Sequence, residues 1–286
     1  MASAPGLSLV VLAAGLGTRF GGLKQLEPVG PRGETLLDYT VHDAMRAGFK
    51  RVVFVIRQGM VRDFHPFASR FRGPLEIKLA FQHLEDAPPG VNIRARRAPW
   101  GTAHAVLAAA PHVSGTFAVV NADDFYGHEA FREAAAFLQR RPGGRVTWGL
   151  VGYPLDETLS ASGPVNRAVC RVDADGWLLD LVERRVDGSD AGRGDVVSMN
   201  FWCFTQDLFT LLREGFDEFA PRAGPEHEYL LPNAVRQALQ AGLARVKVLR
   251  ADSRWLGLTH PSDVAGVSAA LRNLAGTGAY PDPLWR

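Results

Sequence analysis

The loop that follows the first apolar run concentrates residues suited to binding phosphate. The run ends at Leu12, and the residues after it include two glycines, one hydroxyl and two cations, namely Gly15, Gly17, Thr18, Arg19 and Lys24. Glycine lacks a Cβ, so the main chain can approach phosphate oxygens, while arginine offers a planar fork and lysine a mobile point charge. The combination predicts a polyphosphate site, and an ordinary strand-to-helix connection with incidental charges is the alternative.

The spacing excludes two familiar phosphate-binding loops. A P-loop has Ser or Thr directly after its lysine, whereas Gln25 follows Lys24 here. A dinucleotide-binding loop has a third glycine where this chain carries Phe20. The failed glycine spacing also disfavours an oxidoreductase of the dinucleotide-binding fold.

Two adjacent acids form the second constellation. Asp123 and Asp124 closely follow the apolar residues Val119 and Val120. Carboxylates at the end of a buried strand need a cationic partner, and a hydrated Mg²⁺ that bridges to phosphates would supply one. Because successive strand residues face opposite sides, we expect only one of the two carboxylates to face the ion. The alternative is that the pair caps the next helix.

These segments resemble the signature of the sugar-phosphate nucleotidyltransferases, also called nucleotide-sugar pyrophosphorylases. The family pattern is similar to Leu-Ala-Ala-Gly-x-Gly-Thr-Arg, followed by Pro-Lys and Leu-x-Pro-Val, and it matches residues 12–19, Lys24 and residues 26–29. The chain carries Leu23 where the family has proline, but it retains the lysine. The resemblance runs from residue 9 to about residue 263 and is strongest before residue 125.

The resemblance implies catalytic roles for Arg19, Lys24 and Asp123, with Asp123 as the Mg²⁺ ligand. The nucleotide-binding residues that it implies are Leu12, Ala14, Gly15, Gly17, Thr18, Gly101 and Thr102. Thr102 would contact the base or cap the following Ala-rich helix, which is a common role without any ligand. Many family members contact the base through a glutamine about five residues before this glycine. That position is Arg96 here, so the identity of the base is not predicted.

Weaker matches imply an acceptor site in the second half of the chain, at Gly152, Glu183, Arg184 and Asn200. Glu183 would accept hydrogen bonds from sugar hydroxyls, and Arg184, in place of the usual lysine, would hold the sugar phosphate bidentately. A solvated hairpin end explains Glu183 and Arg184 equally well, and Asn200 is equally explained as an ordinary polar residue in a strand.

One departure from the family pattern concerns the metal. Trp255, Leu256 and Gly257 resemble the segment Trp-Leu-Asp, in which the aspartate supplies a second metal contact. With glycine at that position, the resemblance leaves Mg²⁺ on Asp123, water and substrate phosphates, and Asp252 is a weak candidate for the missing ligand.

Apolar runs alternate with helical periodicity along the chain. Strand patterns occupy residues 8–12, 51–56, 75–81, 116–120, 145–151, 196–204 and 245–249, and helical patterns occupy residues 37–48, 103–110, 129–139, 226–240 and 262–274. The alternation predicts an α/β fold with a doubly wound, mostly parallel but mixed, Rossmann-like sheet. Residues 1–154 would form a nucleotide-binding half and residues 155–286 an acceptor-binding half of the same domain. A turn at Asp175-Gly176 predicts an inserted antiparallel hairpin subdomain at about residues 165–200.

Composition narrows the class further. A chain of 286 residues with 47% hydrophobic residues and a net charge of +2 suits a globular core without a broad basic field, so we predict no nucleic-acid partner. No apolar stretch approaches a membrane-spanning length, and no cationic leader precedes the first strand, so we predict a cytoplasmic protein without a membrane partner. Cys170 and Cys203 lack metal or disulfide spacing and are expected to be buried thiols. The oligomeric state is not predicted.

The predicted activity is Mg²⁺-dependent nucleotidyl transfer. A phosphorylated acceptor, preferably a sugar 1-phosphate, would attack the α-phosphorus of a nucleoside triphosphate and release pyrophosphate. A phosphocholine-like or cyclitol phosphate is the alternative acceptor. A regulatory homologue that binds a nucleotide or nucleotide sugar without catalysis is the alternative function, and Gly257 favours it.

Overall fold

Buried apolar strands form the centre of the molecule. A computed structural model describes the chain at residues 6–15, 23–71, 75–140, 146–160 and 163–285. Strand β1 (Ser8–Leu12) is buried at every residue, and β2 (Arg51–Ile56) is buried at every residue except its first. A strand covered on both faces needs continuous apolar residues rather than alternation, which is the pattern of both runs.

The remaining described strands are β3 (Glu76–Phe81), β4 (Phe117–Asn121), β5 (Asp124–Phe125), β6 (Thr147–Pro154), β7 (Val165–Val172), β8 (Leu178–Val186), β9 (Val196–Phe204), β10 (Arg245–Arg250) and β11 (Leu256–Gly257). The described α-helices are α1 (Leu36–Arg46), α2 (Val61–Ala68), α3 (Thr102–Ala108), α4 (His128–Arg140), α5 (Asp207–Phe219), α6 (Leu231–Gln240) and α7 (Asp263–Gly276).

Within the described chain, one mixed sheet contains nine of these strands. Its order is β10-β6-β9-β4-β1-β2-β3, and the hairpin of β7 and β8 joins it through β9. The neighbours β4, β1, β2 and β3 run parallel, as do β10 and β6. Strand β9 lies antiparallel between β4 and β6. The predicted α/β fold with a mostly parallel, mixed sheet is confirmed.

Helices cover both faces of the sheet. Leu9 and Val11 of β1 share a buried cluster with residues of α1, α2 and α4, whereas Val10 and Leu12 share another with residues of α3, α5 and α6. This division follows from the two-residue period of a strand. None of the helices in the described chain combines the length and apolarity needed to cross a bilayer. Cys170 and Cys203 are free and buried, as predicted.

The register of β1 places two sequence motifs at one edge of the sheet. Leu12 is level with Asn121 of β4 and with Val55 of β2. The amide of Ala122 donates to Leu12 O (3.1 Å), so β1 and β4 remain paired at the point where both strands end. The loops that follow them therefore lie side by side at the carboxyl edge, where open α/β sheets bind ligands.

Some elements differ from the sequence prediction. Strands β7 and β8 of the hairpin extend beyond the apolar residues at their centres. The turn between them lies at Asp175-Gly176 as predicted, with Gly176 at a φ of 79°. Helices α2 and α5 were not predicted, and α6 begins at Leu231 rather than at residue 226. Residues 226–230 are not helical: Pro225 and Glu226 lie in a turn, and Tyr229 N donates to Trp100 O (2.7 Å) while Tyr229 O accepts from Ala103 N (2.9 Å).

Candidate functional site

Two adjoining clefts open at the carboxyl ends of β1 and β4. Cleft 1 has a volume of about 410 Å³ and cleft 2 of about 370 Å³. The described residues that line both clefts are Lys24, Thr102, Asn121 and Asp123. Cleft 1 is also lined by Leu12, Ala14, Gly15, Gln25, Gln82, Pro99, Gly101, Ala105, Ala122 and Glu228. Cleft 2 is also lined by Asp124, Asn166, Arg167, Ala168, Leu181, Glu183, Ser198, Met199, Asn200, Leu230, Pro232, Asn233, Trp255 and Thr259.

The start of the glycine-rich loop forms one wall of cleft 1. Gln25 Nε2 donates to Ala13 O (2.7 Å), and Arg57 Nε donates to Ala14 O (3.0 Å). These bonds hold the main chain that precedes Gly15. The predicted phosphate-binding residues Gly17, Thr18 and Arg19 lie outside the described residues.

Lys24 and Asp123 form an ion pair where cleft 1 meets cleft 2. Lys24 begins the short 3-10 turn Lys24–Leu26, and its Nζ also donates to Leu258 O (3.4 Å). The two side chains are 23% and 26% exposed, so both remain accessible to a ligand. Charge-assisted pairs of this kind can exchange partners, the lysine for a phosphate and the carboxylate for a metal ion.

Asp124 is buried, and its neighbours hold its carboxylate. Its Oδ2 accepts hydrogen bonds from Asn121 Nδ2 (2.9 Å) and Tyr126 OH (3.1 Å). Burial and, after it, the charge of Asp123 raise the pKa of Asp124 well above its usual range. The position and orientation of this carboxyl are therefore set by protein groups.

Asn200 supports the same network from β9. Its Nδ2 donates to Asn121 Oδ1 (2.7 Å), and its Oδ1 accepts from Trp202 Nε1 (2.7 Å). It adopts a φ of 63°, a left-handed conformation that is uncommon for residues other than glycine and that recurs at functional sites. Both polar atoms of the Asn200 side chain bond to other protein side chains. This suits a role for Asn200 in positioning Asn121 and, through it, Asp124.

A turn, rather than strand alternation, separates Asp123 from Asp124. Strand β4 ends at Asn121, the chain turns through Ala122 and Asp123, and β5 begins at Asp124. Both carboxylates line cleft 2, and Asp123 also lines cleft 1. The expectation of opposite faces within one strand was therefore wrong. The capping alternative is also wrong, because α4 begins only at His128.

Gly257 makes room for Asp124. Strands β11 and β5 pair antiparallel with Gly257 opposite Asp124, and a Cβ on Gly257 would lie 2.9 Å from Asp124 Oδ1. The same Cβ would overlap the ring of Trp255. A carboxylate side chain at position 257 is therefore incompatible with this packing. Asp252, the candidate replacement, is exposed and lines neither cleft.

The residues present fit Mg²⁺ that arrives with phosphate. Among the described residues, no group of three or more His, Cys, Asp and Glu side chains is arranged to hold a metal. Mg²⁺, however, usually keeps several waters and binds one or two carboxylates together with substrate phosphates. Asp123 offers such a carboxylate, and that of Asp124 lies beside it on cleft 2.

Gly101 and Thr102 stand at the start of α3, where Gly101 lines cleft 1 and Thr102 lines both clefts. Gly101 is the N-cap with a φ of 99°, and a Cβ there would lie 2.6 Å from Tyr229 O. Thr102 is the first helical residue, so its expected alternative role as the cap is wrong. Its hydroxyl accepts from Leu231 N (2.9 Å) and thereby joins the start of α3 to the start of α6.

Gln82 is a cleft residue that the sequence motifs do not reveal. It is buried at the end of β3, and its Nε2 donates to Gly101 O (2.9 Å) and lies 3.2 Å from His104 Nδ1. Burial lowers the pKa of His104 to about 4, so the imidazole is neutral at pH 7 and Nδ1 can accept. Arg96, which stands at the family's usual glutamine position, instead donates to Gly224 O (2.7 Å) and lies 4.0 Å over the Trp100 ring.

Three strands contribute level residues to the wall of cleft 2. Ala168 of β7 is opposite Glu183 of β8 and Ser198 of β9, and each of these residues lines the cleft. With Asn166 and Asn233, they present hydroxyl, amide and carboxylate groups that suit a ligand rich in hydroxyls.

Two predicted acceptor residues lie away from both clefts. Gly152 sits inside β6, where a Cβ would lie 2.5 Å from a methyl group of Val196 and 2.9 Å from one of Val248. Its lack of a side chain therefore serves sheet packing. Arg184 is exposed, and its Nη2 lies 3.8 Å from Asp190 Oδ1 at the outer edge of the hairpin.

Comparison with known proteins agrees with this architecture. Residues 9–148 match the family described as the MobA-like NTP transferase domain. The inositol-1-phosphate CTP transferase of T. maritima is similar at a TM-score of 0.62 and 15% identity, covering 93% of this chain and 96% of that one. A UDP-glucose pyrophosphorylase complexed with UDP-glucose has a TM-score of 0.64 and 18% identity, covering 93% and 98% of the two chains. The sequence has no significant match among curated proteins.

The chain therefore shares the fold of these two nucleotidyltransferases. More particularly, residues 9–148 are similar to the MobA-like NTP transferase domain. The resemblance read from residues 12–29 to the nucleotidyltransferases is confirmed.

Proposed function

We propose that this protein transfers a nucleotidyl group from a nucleoside triphosphate to a phosphorylated small molecule in an Mg²⁺-dependent reaction that releases pyrophosphate. The observation that carries the proposal is the ion pair of Lys24 and Asp123 at the junction of the two clefts. Phosphates that enter from both sides would meet at this point.

We assign the triphosphate to cleft 1 and the acceptor to cleft 2. Cleft 1 has the start of the glycine-rich loop and apolar surfaces from Leu12, Pro99 and Ala105, which suit a flat base. Its described residues come from the first 154 positions, apart from Glu228, whereas most residues that line cleft 2 come from the second half of the chain. This distribution supports the proposed division of the chain at residue 154.

The proposed reaction is an in-line substitution at phosphorus. An oxygen of the acceptor phosphate forms a bond to the α-phosphorus, and the bond from that phosphorus to the bridging oxygen breaks, so pyrophosphate leaves with the electron pair. Lys24 neutralises negative charge on the phosphates, and Asp123 would hold Mg²⁺, which supplies further neutralisation when bound. The main chain at Gly15 contributes positioning, and no nucleophilic side chain is required.

The acceptor that fits cleft 2 best is a sugar 1-phosphate, and a cyclitol phosphate fits the same polar wall. The names of the two structural neighbours, one for inositol-1-phosphate and one for UDP-glucose, support both choices. A phosphocholine-like acceptor is disfavoured because a quaternary ammonium group is best held by an aromatic cage. Trp255 is the one aromatic residue among the described residues that line cleft 2. The free buried thiols suit the proposed cytoplasmic location.

A matrix of nucleoside triphosphates and acceptor phosphates tests the proposal. Each pair, including glucose 1-phosphate and inositol 1-phosphate, is incubated with Mg²⁺, and pyrophosphate release is measured with and without EDTA. We expect release for at least one pair, with loss under EDTA. Binding of nucleotides in a thermal-shift assay without release from any pair would support the regulatory alternative instead.

A further inference from the structure

Arg167 is a half-buried cation on the wall of cleft 2. It lies on β7 between Asn166 and Ala168, and its guanidinium stands 5.1 Å over the ring of Trp255. Burial lowers the pKa of Arg167, while the charge of Asp124 acts in the opposite direction. No carboxylate of the described residues lies within ion-pair distance of its nitrogens.

The hydrogen bonds of Arg167 to described residues use three of its five N–H groups. Its Nε and Nη2 both donate to Thr158 O (3.1 and 2.5 Å), and Nη1 donates to Asn166 O (2.9 Å). Arginine carries five N–H groups, so one on each of the two Nη nitrogens has no partner among the residues that the structure describes. Neutral carbonyls hold the group in place but do not neutralise its charge. A half-buried charge without a counterion favours an anion as its ligand.

We propose that Arg167 binds the phosphate of the acceptor, the role that the sequence motif assigns to Arg184. The inference rests on the proposed function and names a residue for its acceptor site. A fork with two remaining N–H groups matches two oxygens of a phosphate, and the carbonyls of Thr158 and Asn166 orient it beforehand. Arg167 shares cleft 2 with Lys24, Asp123 and Asp124, so a phosphate that it holds lies in the cleft where transfer is proposed.

The positions of Arg167 and Arg184 in the sheet explain why Arg167, rather than Arg184, lines cleft 2. Arg167 and Arg184 are paired across β7 and β8, so their side chains begin at the same level of the hairpin. Strand β7 lies between β8 and β9, whereas β8 has β7 as its neighbour and otherwise forms the edge. The inner arginine therefore reaches Trp255, and the outer one reaches Asp190.

Steady-state kinetics with matched variants tests the proposal on the best substrate pair. For Arg167→Ala we expect the KM of the acceptor to rise about tenfold or more, with the KM of the nucleoside triphosphate within about twofold of the parent. For Arg167→Lys, the KM of the acceptor should lie between the values of the parent and of Arg167→Ala, because lysine keeps the charge but lacks the planar pair of N–H donors. Arg184→Ala, the control on the paired strand, should leave both constants unchanged. Equal effects on both substrates, or an effect of Arg184→Ala alone, would contradict the proposal.

Calorimetric titration with inorganic phosphate gives a readout that does not need activity. We expect the parent and Arg184→Ala to bind phosphate alike, and Arg167→Ala to bind it about tenfold more weakly. Thermal unfolding of each variant controls for the lost bonds to Thr158, and Arg167→Lys replaces Arg167→Ala if the latter fails to fold. Unchanged phosphate affinity in the Arg167 variant overturns the inference. A parent that binds phosphate through Arg167 but releases no pyrophosphate with any pair overturns the proposed function only.

Discussion

Lys24 and Asp123 neutralise each other at the junction of the two clefts, yet each remains about one quarter exposed. A phosphate competes for the lysine, and a divalent cation competes for the carboxylate. Partly exposed ion pairs contribute up to about 1 kcal/mol to folding. We therefore expect substitutions here to affect turnover much more than stability.

Lys24→Ala should lower kcat about 100-fold or more, because a cation aimed at developing phosphate charge is worth several kcal/mol in the transition state. Its free energy of unfolding should fall by less than about 1 kcal/mol. Lys78→Ala is the control, since Lys78 also pairs with a carboxylate, Glu76, but lies on neither cleft. Pyrophosphate release and urea denaturation measure the two effects. Equal kcat in the Lys24 variant and the parent would exclude this role.

Asp123→Asn should abolish Mg²⁺-dependent activity, whereas Asp124→Asn should retain a measurable fraction. Asp123 lines both clefts, while Asp124 is buried with Oδ2 bonded to Asn121 and Tyr126. An amide can still accept at that oxygen, so the Asp124 variant should keep the network. Activity is compared across a series of Mg²⁺ concentrations. Greater sensitivity at Asp124 would place the principal metal ligand there instead.

Helix α3 reaches the clefts because its start packs against the segment that precedes α6. Gly101 lies against the main chain of Tyr229, and Thr102 accepts a hydrogen bond from Leu231 N. Residues far apart in the chain thereby form one rigid wall, to which Gln82 adds a bond to Gly101 O. The glycine at this position is required by its φ and by the close approach of the two main chains.

Gly101→Ala should destabilise the protein by about 2–4 kcal/mol, because its Cβ would meet backbone atoms as well as force a left-handed conformation. Gly33→Ala is a matched control, since Gly33 has a φ of 87° but nothing within 4 Å of its Cβ position. It should cost about 1 kcal/mol from backbone strain alone. Chemical denaturation measures both variants. Equal losses would show that the contact with Tyr229 contributes little.

The site belongs to the whole sheet rather than to one segment. Strands β1 and β4 bring the glycine loop and Asp123 together, and β9 inserts beside β4 to place Asn200 against Asn121. Gly257 completes the arrangement from β11, where it leaves room for the Asp124 carboxyl. The proposed metal site thus has Asp123 as its accessible carboxylate, which is already paired with Lys24.

The protein without nucleotide should bind Mg²⁺ weakly, and the affinity should rise strongly when a nucleoside triphosphate or nucleotide sugar is bound. A hard cation with one carboxylate depends on phosphate oxygens for further ligands, and Lys24 competes for that carboxylate. Calorimetric titration of Mg²⁺ into the protein, with and without nucleotide, measures the difference, and titration into nucleotide alone is the control. Tight binding without nucleotide would require another acidic ligand, which Asp124→Asn and Asp252→Ala would identify.

Local patterns were sufficient for the strands and for part of the site. The apolar run Ser8–Leu12 predicts a strand buried on both faces, and Asp175-Gly176 predicts the hairpin turn. Parallel pairing then implies that the loops after β1 and β4 meet, so Lys24 and Asp123 could be placed at one site. These inferences need only residue types and short spacings, because strand burial and turn conformation depend on neighbouring residues.

Side-chain partners across the fold depended on the tertiary structure. A motif gives a position along a strand but not its distance from the cleft, so the sequence did not show that Arg167 lines the cleft and Arg184 does not; this depended on β7 lying between β8 and β9. Gln82 reaches Gly101 across a long loop, and Gly152 proved to serve packing against Val196. Contacts between distant segments arise from the packing of the whole chain, and no short stretch of sequence encodes them.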